Sequence, residues 1–343
     1  MSTVWKINTY GDPLKTVQLF LQTIWAQANL QGMLVPTNGS PKATTKPQLI
    51  DDPGRLDHMN PFKPLMTVNS ARIIPALMHE HPQTHLSAIL RPCEMRALIE
   101  MVKHDSFNLG GFLTICVDCL GTYPADEYQW RASRKETDGE MTREALQFAR
   151  QGGLLSYRYR AACQTCVSPQ AQEADINIHV LGLPVRQLIL VKTRDEETAE
   201  RLGLSRITHG EATEEMIEQH QRIVEKIHER HQRTMDRITQ GLGDLLPKDI
   251  KDIVIQLENC GKCQHCMTVC PICSIHFPVR NETGSYQEEQ IARWLVSCSG
   301  CGMCEQACVN HLPLSIIFGH IHAKLAEEYD YKAGYSFEEP LPF

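Results

Sequence analysis

The feature that most constrains this chain is a cysteine motif that occurs twice in its last ninety or so residues. Cys260, Cys263, Cys266 and Cys270 are spaced C-x2-C-x2-C-x3-C, and Pro271 follows. Cys298, Cys301, Cys304 and Cys308 repeat the spacing. A cubane iron–sulfur cluster needs a thiolate at each of four iron corners. Three closely spaced thiolates on one loop wrap three corners, and in two-cluster ferredoxins the fourth comes from the other motif. The spacing therefore predicts one [4Fe–4S] cluster on Cys260, Cys263, Cys266 and Cys308. A second is predicted on Cys298, Cys301, Cys304 and Cys270. Structural zinc is the competing reading, because two C-x2-C pairs make one site. It leaves the third and fourth cysteines of each run idle, so iron–sulfur is preferred. Cys308 is followed by Val309-Asn310-His311, with Pro313 arriving late, which alters the local turn and not the ligand count. Cys273 is expected to be a buried neutral thiol rather than a ligand.

Five further cysteines, Cys93, Cys116, Cys119, Cys163 and Cys166, bring the total to 14. Such density in an intracellular chain points to metal or redox chemistry before disulfides. Alone, Cys163-x2-Cys166 is ambiguous among zinc, a redox thiol pair and a cluster. A thioredoxin-like pair would open a helix, and here Ser168-Pro169 follows closely. Five cysteines from three loops can supply the four ligands of one more cluster.

The rest of the composition is that of a globular protein, with 42% apolar and 22% charged residues. A length of 343 residues allows two or three domains. The net charge of −7 argues against nucleic acid, which needs a basic face. Residues 1–12 lack the basic start and apolar core of a signal peptide. No apolar run reaches the length of a membrane span. A cytoplasmic protein is expected, touching a membrane only through a partner.

The fold class read from the pattern is a mixed α/β N-terminal domain, a long helical segment, and a C-terminal α-helical, ferredoxin-like dicluster domain. The expected divisions are residues 1–65, an N-terminal segment; 66–205, the α/β domain; 206–248, a helical linker; 249–329, the dicluster domain; and 330–343, a tail. Helical spacing of Val17, Phe20, Leu21, Ile24 and Trp25 predicts a helix over 16–30. Residues 34–64, rich in Pro, Lys, Thr and Asp, read as a long loop. Residues 86–90 and 112–117 read as strands flanking a helix, and 188–192 as another strand, suggesting a βαβ-like unit. A helix is predicted over 212–240, ended by Gly241 and Gly243, and another over 313–329. His220, His228 and His231 have helical spacing that fits a metal. They are read as ordinary helix residues, because no Glu or Cys completes a zinc pattern beside them.

Several stretches resemble the beta subunit of coenzyme F420-dependent hydrogenases and formate dehydrogenases. They are Arg91-Pro92-Cys93-Glu94-Met95-Arg96, Ile115-Cys116, and residues 159–176 with Cys163, Cys166 and Ala174-Asp175-Ile176. Cys270-Pro271-Ile272-Cys273, Cys301-Gly302-Met303-Cys304, Leu312-Pro313-Leu314 and the Tyr-Lys-Ala-Gly at 331–334 resemble the formate dehydrogenase branch in particular. The resemblance implies a third [4Fe–4S] cluster on Cys93, Cys116, Cys163 and Cys166, with Cys119 spare or an alternative to Cys116. It also implies a neighbouring FAD. It further implies a molybdenum or tungsten formate dehydrogenase alpha subunit, or another redox subunit, as catalytic partner. The electron carrier would be coenzyme F420, NAD or ferredoxin. Family members carry a Gly-rich loop where this chain has His-Val-Leu-Gly-Leu-Pro at 179–184, and few glycines there let a backbone approach a pyrophosphate. Two functions follow: a flavin-containing electron-transfer subunit of a formate dehydrogenase-type oxidoreductase, or a flavin-free iron–sulfur wiring subunit of a larger redox complex.

Overall fold

The computed structural model describes residues 3–38, 45–82, 84–105, 107–137, 139–152, 158–260 and 263–343. Seven strands form one mixed sheet: β1 (Val4–Asn8), β2 (Gly32–Asn38), β3 (Thr45–Ile50), β4 (Leu86–Leu90), β5 (Leu113–Val117), β6 (Ile176–His179) and β7 (Leu188–Thr193). Their spatial order is β1-β7-β6-β5-β4-β2-β3. The inner strands β2, β4, β5 and β6 run parallel, and β1, β7 and β3 run antiparallel to their neighbours. β4 (LSAIL) and β5 (LTICV) are buried along their whole length, as central parallel strands covered on both faces must be.

Helix α1 (Pro13–Gln27) begins where the Asp12 carboxylate accepts from the Lys15 N–H, with proline in the first turn. Helix α2 (Pro92–Asp105) follows β4 directly. The buried Glu94 carboxylate accepts from the Arg91 N–H at 2.8 Å and from both the N–H and hydroxyl of Ser70, which fixes the strand-to-helix turn. The long helix α3 (Glu214–Leu242) carries through Gly241 and stops at Gly243, the second of the two glycines expected to end it. Helices α4 (Ile250–Asn259), α5 (Glu288–Val296) and α6 (Leu314–Glu328) make the C-terminal region.

The C-terminal region and the sheet share one apolar cluster. Leu90, Leu98 and Cys116 of the sheet layer pack in the same core as Ile253, Trp294 and Phe318. Burial of each large side chain there contributes roughly 1.5–3 kcal/mol. The opposite sheet face is covered by α1 and by Ile227 of α3.

Residues 1–65 are woven into the sheet rather than standing apart, because β1, β2 and β3 all belong to it. The reading of 34–64 as a loop is corrected by β2, β3 and a short 3-10 turn at Pro53–His58; residues 39–44 lie outside the described part. Proline misled it. Pro36 and Pro47 pair with each other across β2 and β3, beyond the Gly32–Leu34 stretch that pairs with β4 and at the sheet's edge, where proline is tolerated. No helix among the described residues is long and apolar enough to cross a membrane.

Candidate iron–sulfur centres

The parallel strands deliver the first group of cysteines. β4 ends at Leu90 and β5 at Val117, on the same side of the sheet. Ligand sites of open α/β sheets lie outside these carboxyl ends. Cys93 opens α2 just past β4, and Cys119 stands just past β5. Cys163 sits in a short helix, Ala161–Gln164, and Cys166 follows it. Cys93, Cys119, Cys163 and Cys166 line one cavity.

Cys116 is not among them. It is paired with Leu90 inside the sheet and fully buried in apolar packing. Burial pushes its thiol well above the ordinary range. The geometry thus departs from the expectation that Cys116 faces this space and Cys119 lies outside it. A residue paired within a buried strand has its side chain committed to the sheet face; one past the strand end is free to turn toward the strand termini.

The four lining thiols sit in different fields. Burial alone would raise Cys163, but the Arg160 guanidinium, with the Thr122 hydroxyl at 3.3 Å, brings it below its ordinary value. Burial pushes Cys119 up to about 12, with the Cys163 charge adding to it. Burial and then Glu94 raise Cys93 well above its ordinary value. Ligation by iron would replace those protons, as thiolate ligation does generally.

Cys301, from the second ferredoxin-type motif, also lines this cavity. The two regions touch directly there: a side chain on Gly302 would meet the Ala162 Cβ. Within the C-terminal region, the thiols that act electrostatically on Cys266, Cys298 and Cys304 come from both motifs. Burial, with repulsion from Cys260, Cys263 and Cys308, pushes Cys266 up to about 11. Burial, with Cys270 and Cys301, pushes Cys298 up to about 12. Cys304 is raised by burial and by Cys301, Cys298 and Cys270. The fourth cysteine of each motif accepts an N–H···S hydrogen bond. Trp294 Nε1 donates to Cys270 Sγ at 3.2 Å, and the Leu312 N–H donates to Cys308 Sγ at 3.4 Å. With the Cys273 thiol and N–H adding to the Trp294 bond, Cys270 falls to about 7. Cys273 itself is buried and its thiol raised, mainly by burial. None of the 14 cysteines is in a disulfide. Thiols gathered in fours, several of them receiving N–H donors, suit iron–sulfur ligation.

The fold has a solved counterpart. A chain in the F420-reducing [NiFe] hydrogenase complex from Methanosarcina barkeri matches with a TM-score of 0.51. The match covers 69% of this chain and 91% of that one, at 11% identity. The fold is shared. No family model matches the sequence.

Residues 179–184 do not fit a dinucleotide. The N–H groups of Val180 and Leu181 donate to the buried Asp118 carboxylate at 2.8 and 3.0 Å, and the Gly182 N–H donates to the Ala149 carbonyl. An anionic pyrophosphate would meet occupied donors and a carboxylate. Gly182 is needed for another purpose: at φ +77 it lets α3 approach, with the Gln219 carbonyl 2.7 Å from where a Cβ would stand.

Asp118, His179 and His220 are all buried, with ligand atoms within 4.8 Å of one another. His220 and His231 are both buried. Both Asp118 oxygens are already engaged, by the Ala171, Val180 and Leu181 N–H groups and His179 Nδ1, while His220 Nδ1 donates to the Leu181 carbonyl. Burial opposes the Asp118 charge, and the two histidines overcome it, holding the carboxyl at about 2. This network clamps the turn that carries Cys119. His231 Nδ1 similarly holds the Cys166 carbonyl at 3.0 Å. Asp118, Arg96 and Arg160 were invisible to motif spacing. The available signal was adjacency: each arginine stands three residues from a cysteine of the cavity, and Asp118 directly precedes one.

Proposed function

We propose that this chain is an iron–sulfur electron-transfer subunit, holding one cluster at the carboxyl ends of the sheet strands and two in its C-terminal region. The observation that carries this is the cavity lined by Cys93, Cys119, Cys163 and Cys166 together with Cys301, which puts a third thiol set against the second. These four cysteines are the proximal ligands in this reading. The other sets are Cys298, Cys301, Cys304 and Cys270, and then Cys260, Cys263, Cys266 and Cys308. A [4Fe–4S] cluster supplies a reversible one-electron couple, tuned by burial and by hydrogen bonds to sulfur. The chain's own residues place the three sites in sequence, exclude water from the inner two, and direct N–H groups at sulfur.

The occupied donors at 179–184 favour the relay reading, in which catalysis belongs to a partner subunit. The partner chemistry implied by the C-terminal resemblance is a molybdenum or tungsten formate dehydrogenase alpha subunit. The fold shared with a hydrogenase-complex chain supports a multi-subunit redox assembly. The electron acceptor would be coenzyme F420, NAD or ferredoxin.

Anaerobically purified protein should carry about twelve irons with matching acid-labile sulfide. Cys270→Ala should damage the cluster of Cys298, Cys301 and Cys304 rather than that of its sequence neighbours, read as which paramagnetic resonance signal disappears on reduction. Two zinc atoms per chain with negligible iron would refute the reading. Stoichiometric extractable flavin would return the flavin-containing alternative.

A further inference from the structure

Two buried arginines lie between the proximal cysteines and the second motif. Arg96 and Arg160 are 3% and 6% exposed. Arg96 Nη2 points to Cys166 Sγ at 3.9 Å and donates to the Ser299 carbonyl at 3.1 Å, while Nη1 donates to the Ser168 carbonyl at 2.9 Å. Arg160 Nη2 reaches Cys163 Sγ at 3.6 Å, Nη1 donates to the Cys301 carbonyl at 3.1 Å, and Nε donates to the Thr122 hydroxyl at 2.7 Å. Each guanidinium therefore spans a proximal thiol on one side and the Cys298–Cys301 loop on the other. Their partners are carbonyls, a hydroxyl and sulfurs; among the described residues neither makes an ion pair with a carboxylate. A buried charge without a counter-charge is strongly unfavourable. Here the sulfurs of Cys166 and Cys163 stand beside the two guanidinium groups.

We infer that Arg96 and Arg160 are shared counter-ions of the proximal and second cluster sites, holding the proximal reduction potential up and tying the two sites together. The inference rests on the proximal-cluster reading above. Four thiolates make a cluster site anionic, and an accepted electron makes it more so. A fixed cation nearby favours the reduced form and raises the potential. The planar fork suits the geometry, because one guanidinium can bond to sulfur and to a carbonyl on opposite sides, which a lysine ammonium does less well.

The test is a redox titration of the holo-protein, followed by paramagnetic resonance, with iron content measured on each sample. Arg160→Gln and Arg96→Gln should each shift the proximal reduction equilibrium at least tenfold toward the oxidised form, about 59 mV for one electron. The cluster of Cys260, Cys263, Cys266 and Cys308 should not move and serves as the internal reference. Arg160→Lys should fall between wild type and Gln. Iron-replete Gln variants with unchanged proximal potentials would overturn the inference while leaving the three-cluster reading intact. If the Gln variants fail to assemble, Arg160→Leu and Arg96→Leu, which keep bulk without charge, take their place, and unchanged proximal potentials there overturn it instead. Wild-type protein with only about eight irons overturns both this inference and the proximal-cluster reading.

Discussion

Replacing Cys119 with alanine should lower the iron content of the anaerobic protein from about twelve to about eight, while Cys116→Ala should leave it at about twelve. The two residues are three apart on one strand-to-loop segment, and their surroundings differ completely. Cys116 is held in register with Leu90 in the buried sheet, so its loss creates a small apolar cavity and costs on the order of 1 kcal/mol. Cys119 stands beyond the strand with its N–H donating to the Pro169 carbonyl, in a turn clamped by Asp118 and facing Cys93, Cys163 and Cys166. Iron and sulfide analysis of the two variants decides between them. A four-iron loss in the Cys116 variant, with none in the Cys119 variant, would restore the ligand set implied by resemblance.

That contrast shows where the sequence was informative. The C-terminal thiols were legible as two sets because ligand spacing there is a local matter. Four cysteines within eleven residues fix their own loop, and duplication supplies the second set. The proximal group was legible as a group, since Pro92-Cys93 after an apolar run and the Cys163-Cys166 pair both announce loops. The end of β5 was legible, at 117; the choice of Cys116 came from the resemblance, and that Cys116 is committed to the sheet follows only from its pairing with Leu90, a partner from elsewhere in the chain. The same cause hid β1 and β3. β1 is only five residues long, and is stabilised by lying beside β7, nearly two hundred residues away in the chain. Arg96 and Arg160 carry no local sign of burial, and both are buried where residues distant in the chain meet.

Gly302→Val should be the most damaging single change outside the cysteines. Gly302 has φ +68, and a Cβ there would lie 2.4 Å from the Ala162 Cβ and 3.1 Å from Ser315 Oγ. The left-handed backbone costs a non-glycine residue about 1–2 kcal/mol, and the overpacking adds roughly 1–3 kcal/mol. The contact is the point at which the Cys163 helix meets the Cys301–Cys304 loop, so relief must come from separating two thiol sets. Iron content should fall toward about four, leaving the cluster of Cys260, Cys263, Cys266 and Cys308, and Tm should drop. Gly300 is a matched control. It has φ +65 with nothing within 4 Å of its Cβ position, so Gly300→Ala carries the backbone cost alone and should retain its iron. Equal losses in the two variants would locate the damage in the backbone and not in the contact.

The exposure of Cys263 sets a hierarchy of oxidative decay. Cys263 is exposed, whereas Cys116, Cys273 and Cys301 are buried and Cys93 and Cys119 are only partly accessible. Oxygen and peroxide attack a cluster at the corner they can reach, and sulfur oxidation follows accessibility. In air, the cluster with Cys263 as a ligand should bleach first, and the one that has the buried Cys301 as a ligand should persist longest. A partly aerobic preparation would then contain a chain whose interior cofactors survive while its contact with the outside is broken. Such protein would look largely iron-replete by analysis and yet be electrically isolated.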